Sequence, residues 1–191
     1  MLKGISTLIL FAINLIVVIS VDAETPVKRT VKNQNIVATP IINQYVPQAE
    51  KVGAYRFTYL FWDIYDASLY APGAVFSKDQ PFALKLSYLR WLAGEKIAQR
   101  SAKEIQQQGF ADKKKLHSWL IRMTEIFPDV DKDDTITGIR NKDAHTLFFL
   151  NGVHIGTIKD REFTERFFAI WLSNKTSQPA MRKKLLCGRK C

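Results

Sequence analysis

No cysteine occurs before position 187. The body of the chain therefore has no thiol nucleophile, no cysteine-rich zinc cluster and no disulfide framework. Cys187 and Cys191 remain, at the C-terminal end, and in an oxidising compartment they are a candidate disulfide. So short a ring pins the tail and adds little stability, because closing it removes little unfolded-state entropy. Histidine is also sparse. His117, His145 and His154 fall on a helix, a strand start and a hairpin arm, so no metal is expected. There is no G-x-S-x-G elbow and no glycine-rich phosphate loop, so no cofactor is expected and nucleotide-binding and serine-hydrolase chemistry are set aside. Asp129, Asp131 and Asp133 imitate a calcium loop, but Asp134 stands where the turn glycine belongs and Arg140 where a bidentate Glu belongs. Internal repeats and low-complexity tracts are absent.

Acids are in deficit: 18 against 28 Lys and Arg, a formal charge of +10. The N-terminus explains where that charge works. Lys3 precedes the apolar run Ile5–Val21, and Val21-Asp22-Ala23 is a small-residue cleavage site. The expectation is a signal peptide over residues 1–23, cut after Ala23, and a periplasmic protein. The rival reading is an uncleaved N-terminal membrane anchor. Removal takes one base, Lys3, and one acid, Asp22, so the mature charge stays at +10. An exported basic protein meets anionic membrane surfaces or small anions rather than nucleic acid. The oligomeric state is left open.

Residues 24–51 read as a flexible, basic segment, Glu24–Gln34, and a short edge strand around Asn35–Tyr45 that Pro40 interrupts. The domain proper is expected over 52–191. Within it, Val52–Ala71 is the longest β-rich run, taken as one bent strand or two strands sharing a bulge near Asp63. Phe82–Leu89 alternates, with Tyr88 on the buried side beside Phe82, Leu84 and Leu86. Helices follow over Gly94–Gln108, with the apolar stripe Ile97, Ala98, Ala102 and Ile105, and over Asp112–Phe127. Thr135–Arg140 is a strand, and His145–Ile158 is a hairpin about Asn151-Gly152, whose first arm is apolar on both faces. Asp160 caps a helix to about Ser173, and Pro179 opens a terminal helix. Antiparallel strands with helices segregated to one face make the fold class α+β.

The run Val52–Ala71 alternates as well. Arg56, Thr58, Leu60, Trp62 and Ile64 share one side, and Phe57, Tyr59, Phe61 and Asp63 share the other. A lone Arg heading an apolar face either reaches solvent or meets an anion. Gly53-x-x-Arg56, the strand, and then Ile64-Tyr65-Asp66-Ala67-Ser68-Leu69-Tyr70 resemble the chalcone-isomerase-like family, in its bacterial exported branch. Leu86-Ser87-Tyr88-Leu89-Arg90 with the helix from Ile97 to Gln108-Gly109, and Phe148–Leu172, extend the resemblance in order from Val52 to Leu186. It implies an open-faced β-sandwich, a large antiparallel sheet under one helical layer, with the ligand between them.

In plant chalcone isomerase an early-strand Arg, with Thr and Tyr hydroxyls, stabilises an anionic substrate. In the fatty-acid-binding members an Arg and a Tyr hold a carboxylate. The resemblance thus implies Arg56, Thr58, Tyr88 and Arg90 as the polar end of a site, with Leu60, Trp62, Trp119 and Phe167 as its apolar wall. Binding needs one cation, hydroxyl donors and an apolar cleft. Catalysis needs them aimed at developing charge, and Tyr88 matches the enzymes' Tyr only with a one-residue shift. The expectation is a non-catalytic binding protein for a small amphipathic anion such as a fatty acid. The alternatives are an isomerase or intramolecular lyase, with Arg56 and Tyr88 as candidate catalytic residues, and an interaction module whose cleft its own side chains fill.

Overall fold

Six strands follow one another across a single sheet in the order in which they occur in the chain. They are β1 (Ala49–Tyr59), β2 (Trp62–Pro72), β3 (Phe82–Tyr88), β4 (Thr135–Arg140), β5 (Thr146–Leu150) and β6 (Val153–Ile158). Each neighbouring pair is antiparallel. The computed structural model describes residues 38–187, which belong to one compact unit, Asn33–Cys191. The expected signal peptide, the basic segment after it and Cys191 of the candidate disulfide lie outside the described residues.

Four helices cover one face. These are α2 (Gly94–Gln107) and α3 (Lys113–Ile126), inserted between β3 and β4, and α4 (Arg161–Leu172) and α5 (Pro179–Cys187), which follow β6. Side-chain caps start three of them. Asp112 accepts from the Lys115 N–H at 2.9 Å and Asp160 from the Phe163 N–H at 3.1 Å. The first N–H of α2, Gly94, donates to Asp129 Oδ1 at 2.9 Å, a cap reaching over from the acidic loop. The core between sheet and helices is aromatic: Phe148 of β5 meets Phe167 of α4 edge-on at 5.2 Å, and Phe167 stacks on Phe163 at 5.4 Å.

Two expectations need correction. The edge strand around Asn35–Tyr45 is instead a helix, α1 (Ala38–Tyr45). Pro40 falls in its first turn, where a missing N–H costs nothing. Ile42 and Val46 are four apart, the helical spacing, and both are buried. They pack with Ala83, Ile139, Leu147 and Phe149, the strand residues that alternate with the main-core Leu84, Gly138 and Phe148. So α1 sits on the face opposite the other helices, which is why β5 is apolar on both sides. Second, the run Val52–Ala71 is a hairpin. Tyr59 pairs with Trp62 about a turn at Leu60–Phe61, and the register slips between Phe57 and Thr58, leaving Ile64 as the extra residue. No glycine or asparagine marks that turn; Leu60 itself takes φ +55. The β5–β6 turn follows the usual chemistry, with φ +49 at Asn151 and +85 at Gly152.

Candidate functional site

Between the sheet and the helical layer lies a cavity of about 270 Å³. Its floor is an aromatic row that strand register builds. Phe57 of β1 is opposite Tyr65 of β2, and Tyr65 is opposite Tyr88 of β3. The rings meet at 5.1 and 6.1 Å. Leu86, Ile136, Phe127, Phe167, Trp171 and Met181 complete an apolar wall. The exposed Tyr59, Lys96 and Arg100 also line it, so the cavity opens to solvent on their side. It is not filled by the protein's own side chains, as the interaction-module reading requires.

The polar groups come from the floor and from one stripe of α2. Ile97, Arg100, Ser101 and Glu104 recur at i, i+3, i+4 and i+7 and all line the cavity. Arg100 donates to Glu104 Oε1 in an i, i+4 ion pair. Glu104 is 4% exposed, and its other oxygen, Oε2, is buried without a partner among the described residues. The Trp171 indole donates to the Tyr65 hydroxyl at 3.1 Å, leaving that hydroxyl's own proton free to donate. Tyr88 is 2% exposed, and its hydroxyl makes no hydrogen bond to any described residue. Burial, only partly offset by the Trp171 bond, pushes Tyr65 up to about 12. Burial, and then the neighbouring Tyr65, push Tyr88 up as well. Both are neutral hydroxyl donors at neutral pH.

The structure redistributes the residues expected at the site. Tyr88 and Phe167 line the cavity. Arg56 and Thr58 do not. Arg56 lies on the opposite face of the β1–β2 hairpin, its fork held by Asp66 at 2.8 and 2.9 Å, with Asp63 at 3.3 Å. The Asp66 hydrogen bonds and charge raise its already high pKa further. Thr58 donates to Asp63 at 2.7 Å. Leu60 and Trp62 are 74% and 61% exposed at the hairpin end. The Arg90 guanidinium lies over the Trp62 ring at 4.7 Å, outside the cavity. Trp119 belongs to the α3–α4 core, where its indole donates to Asp160 at 3.0 Å.

The expectation of Arg56 and Thr58 rests on the resemblance, and alternation alone does not say which face of β1 is the inner one. The cavity takes the face of Phe57 and Tyr59, and Leu60 and Trp62 lie at the hairpin end. Tyr65, Arg100, Ser101 and Glu104 were missed. The i, i+3, i+4, i+7 recurrence with Ile97 was the available signal for the last three.

No curated protein matches the chain in sequence. Among solved structures, a fatty-acid binding protein of Arabidopsis thaliana is similar, with a TM-score of 0.57 over 73% of this chain and 87% of that one, at 12% identity. At that identity the likeness is one of fold. The family model described as chalcone isomerase-like matches residues 52–187, and the chain therefore belongs to the chalcone isomerase-like family.

Proposed function

We propose that this protein binds a small amphipathic anion, a fatty acid or a close relative, in the cavity between sheet and helices, without transforming it, after export to the periplasm. One observation carries the reading: the Tyr88 hydroxyl makes no hydrogen bond among the described residues and lines, with Tyr65 and Arg100, a mostly apolar cavity. A ligand oxygen in that cavity would give this donor an acceptor. Tyr65 donates a second hydrogen bond and Arg100 the positive charge. At about 30 Å³ for each water-sized group, the cavity holds on the order of nine such groups, a medium-length chain. The fatty-acid binding of the Arabidopsis protein agrees in kind.

The test is calorimetric titration with medium-chain fatty acids. Tyr88→Phe is expected to weaken binding by roughly tenfold, the worth of a hydrogen bond to a charged group. It should leave the ligand-free protein about as stable as before, because the hydroxyl makes no hydrogen bond among the described residues. Arg56→Ala is expected to leave affinity unchanged, since that guanidinium is on the other face. An affinity lost with Arg56 and kept without the Tyr88 hydroxyl would overturn the site.

A second reading, an isomerase or intramolecular lyase, draws on the unpartnered Glu104 Oε2 in the same cavity. There it would accept a proton that Tyr88 helps to hand on. Turnover of a flavonoid-type enone that Glu104→Gln abolishes would establish it in place of the first.

A further inference from the structure

Three exposed apolar side chains of the described residues stand alone: Val75, Ile121 and Val153 lie on separate segments. The β1–β2 hairpin is different. Tyr59, Leu60, Phe61 and Trp62 are 57%, 74%, 95% and 61% exposed, in succession. The next loop joins them. The Leu89 N–H donates to Ile64 O at 3.0 Å, Arg90 lies over Trp62, and Trp91 is 57% exposed. Folding buries little of this apolar surface. Water meets all five apolar side chains, and Leu60 adopts a left-handed φ of +55 that glycine would take without strain.

The patch also has a position. Tyr59 belongs both to it and to the cavity lining, so the apolar tip stands at the cavity mouth. Its composition is that of a membrane-interface anchor: Leu and Phe at the extremity, with Trp and Tyr, whose rings carry a polar atom, around them. Cations flank it. Lys96 at the mouth has only Gln99 as a hydrogen-bond partner, and neither Lys96 nor Arg90 makes an ion pair among the described residues. Of the nearby acids, Asp63 and Asp66 are engaged by Arg56 and Glu104 by Arg100, while Glu95 beside Lys96 and Asp133 beside Tyr88 make no ion pair among the described residues. A narrow convex tip cannot bury the roughly 800 Å² per partner that a stable dimer needs, whereas a bilayer yields around it.

We propose that the Tyr59–Trp62 tip, with Arg90 and Trp91, inserts into the headgroup region of an anionic bilayer and sets the cavity mouth against the membrane, so that an acyl ligand exchanges directly with the lipid. The exchange rests on the ligand-binding reading above; the docking does not. The experiment is co-sedimentation with vesicles of phosphatidylglycerol and phosphatidylcholine, with tryptophan emission followed as vesicles are added. The wild type is expected to sediment, and its emission to shift to the blue as Trp62 and Trp91 leave water. The double variant Leu60→Gly/Phe61→Asn places a favourable turn pair at the tip. It is expected to lose at least tenfold in vesicle affinity and the blue shift, while its melting temperature holds or rises and its affinity for a medium-chain acid in vesicle-free buffer stays the same. Phe61→Asp, at a residue almost wholly in water, repeats the test with the turn otherwise untouched. Vesicle binding by both variants equal to wild type, or a wild type that ignores vesicles, overturns the proposal. So does a wild-type dimer that both variants dissolve without any vesicle effect. Docking that persists in a protein that binds no acid in solution would sink the ligand reading and leave the docking in place.

Discussion

Tyr88 and Glu104 define the residue-scale chemistry, and they pull in different directions. Tyr88 has a proton to give. Glu104 already occupies Arg100, and its other oxygen is buried without a partner in the wall of the same cavity. An acidic ligand therefore brings a second negative charge into a site whose cation is shared, with Lys96 at the mouth as the other positive group and Tyr65 and Tyr88 neutral. Like charges in one low-dielectric site repel. Glu104→Gln removes the competing charge and should tighten binding at neutral pH, which calorimetric titration with the same medium-chain acids checks. Tyr65 carries a pH dependence of stability. Its pKa is raised from 10.0 to about 12, chiefly by burial. An unfolded chain loses this proton first as pH climbs, so the stabilisation is complete below pH 10 and is lost as pH rises toward 12. Thermal unfolding followed across that window should fall less steeply in Tyr65→Phe, by up to about 1.4 kcal/mol per pH unit.

At the scale of elements, legibility followed local signals. β3, β4, the β5–β6 hairpin and α2 to α5 were all readable, because period, caps and turn residues agree in each: Asp112 and Asp160 do cap α3 and α4, and Asn151-Gly152 does turn the hairpin. The two elements misread lack such agreement. In α1 a proline suggested a strand break, although the first helical turn tolerates it. At Leu60–Phe61 a sharp turn has no turn residue at all. One contact between elements was invisible in sequence. Gly53 of β1 lies under the carbonyls of α5, and a Cβ there would come within 2.6 Å of Leu185 O. Backbone cannot yield as a side chain can, so Gly53→Ala is expected to lift α5, with Leu185 fully buried and Met181 at the cavity wall. The cost should be about 2–3 kcal/mol in denaturant unfolding, together with weakened ligand binding.

For the whole molecule, the charge of +10 is an asset only next to anions. No helix of the described residues is long and apolar enough to cross a membrane; the proposed docking works through the tip and the surface charge. Vesicle binding is expected to weaken as salt rises, since the Debye length shrinks from about 30 Å at 0.01 M to about 3 Å at 1 M. A residual binding at high salt should remain, and should disappear in Leu60→Gly/Phe61→Asn. Sedimentation at both ionic strengths separates the two contributions. With α1 on one face and four helices on the other, both layers need the sheet between them. Global unfolding is therefore expected to be a single cooperative transition.

Whatever depends on neighbours along the chain is legible in the sequence: the α+β class, most elements, and the inward-facing Tyr88, which alternation with Phe82, Leu84 and Leu86 makes unavoidable. The family was readable for a related reason, since its motifs keep their order and spacing in the chain. Tertiary structure decided the rest. Alternation divides β1 into two faces but does not say which meets the helices. That choice depends on Asp66 of β2 lying across from Arg56, and on the aromatic partners of Phe57. The cavity-lining stripe of α2 depends on where the sheet places Tyr65 and Tyr88, a long-range register that no local window contains.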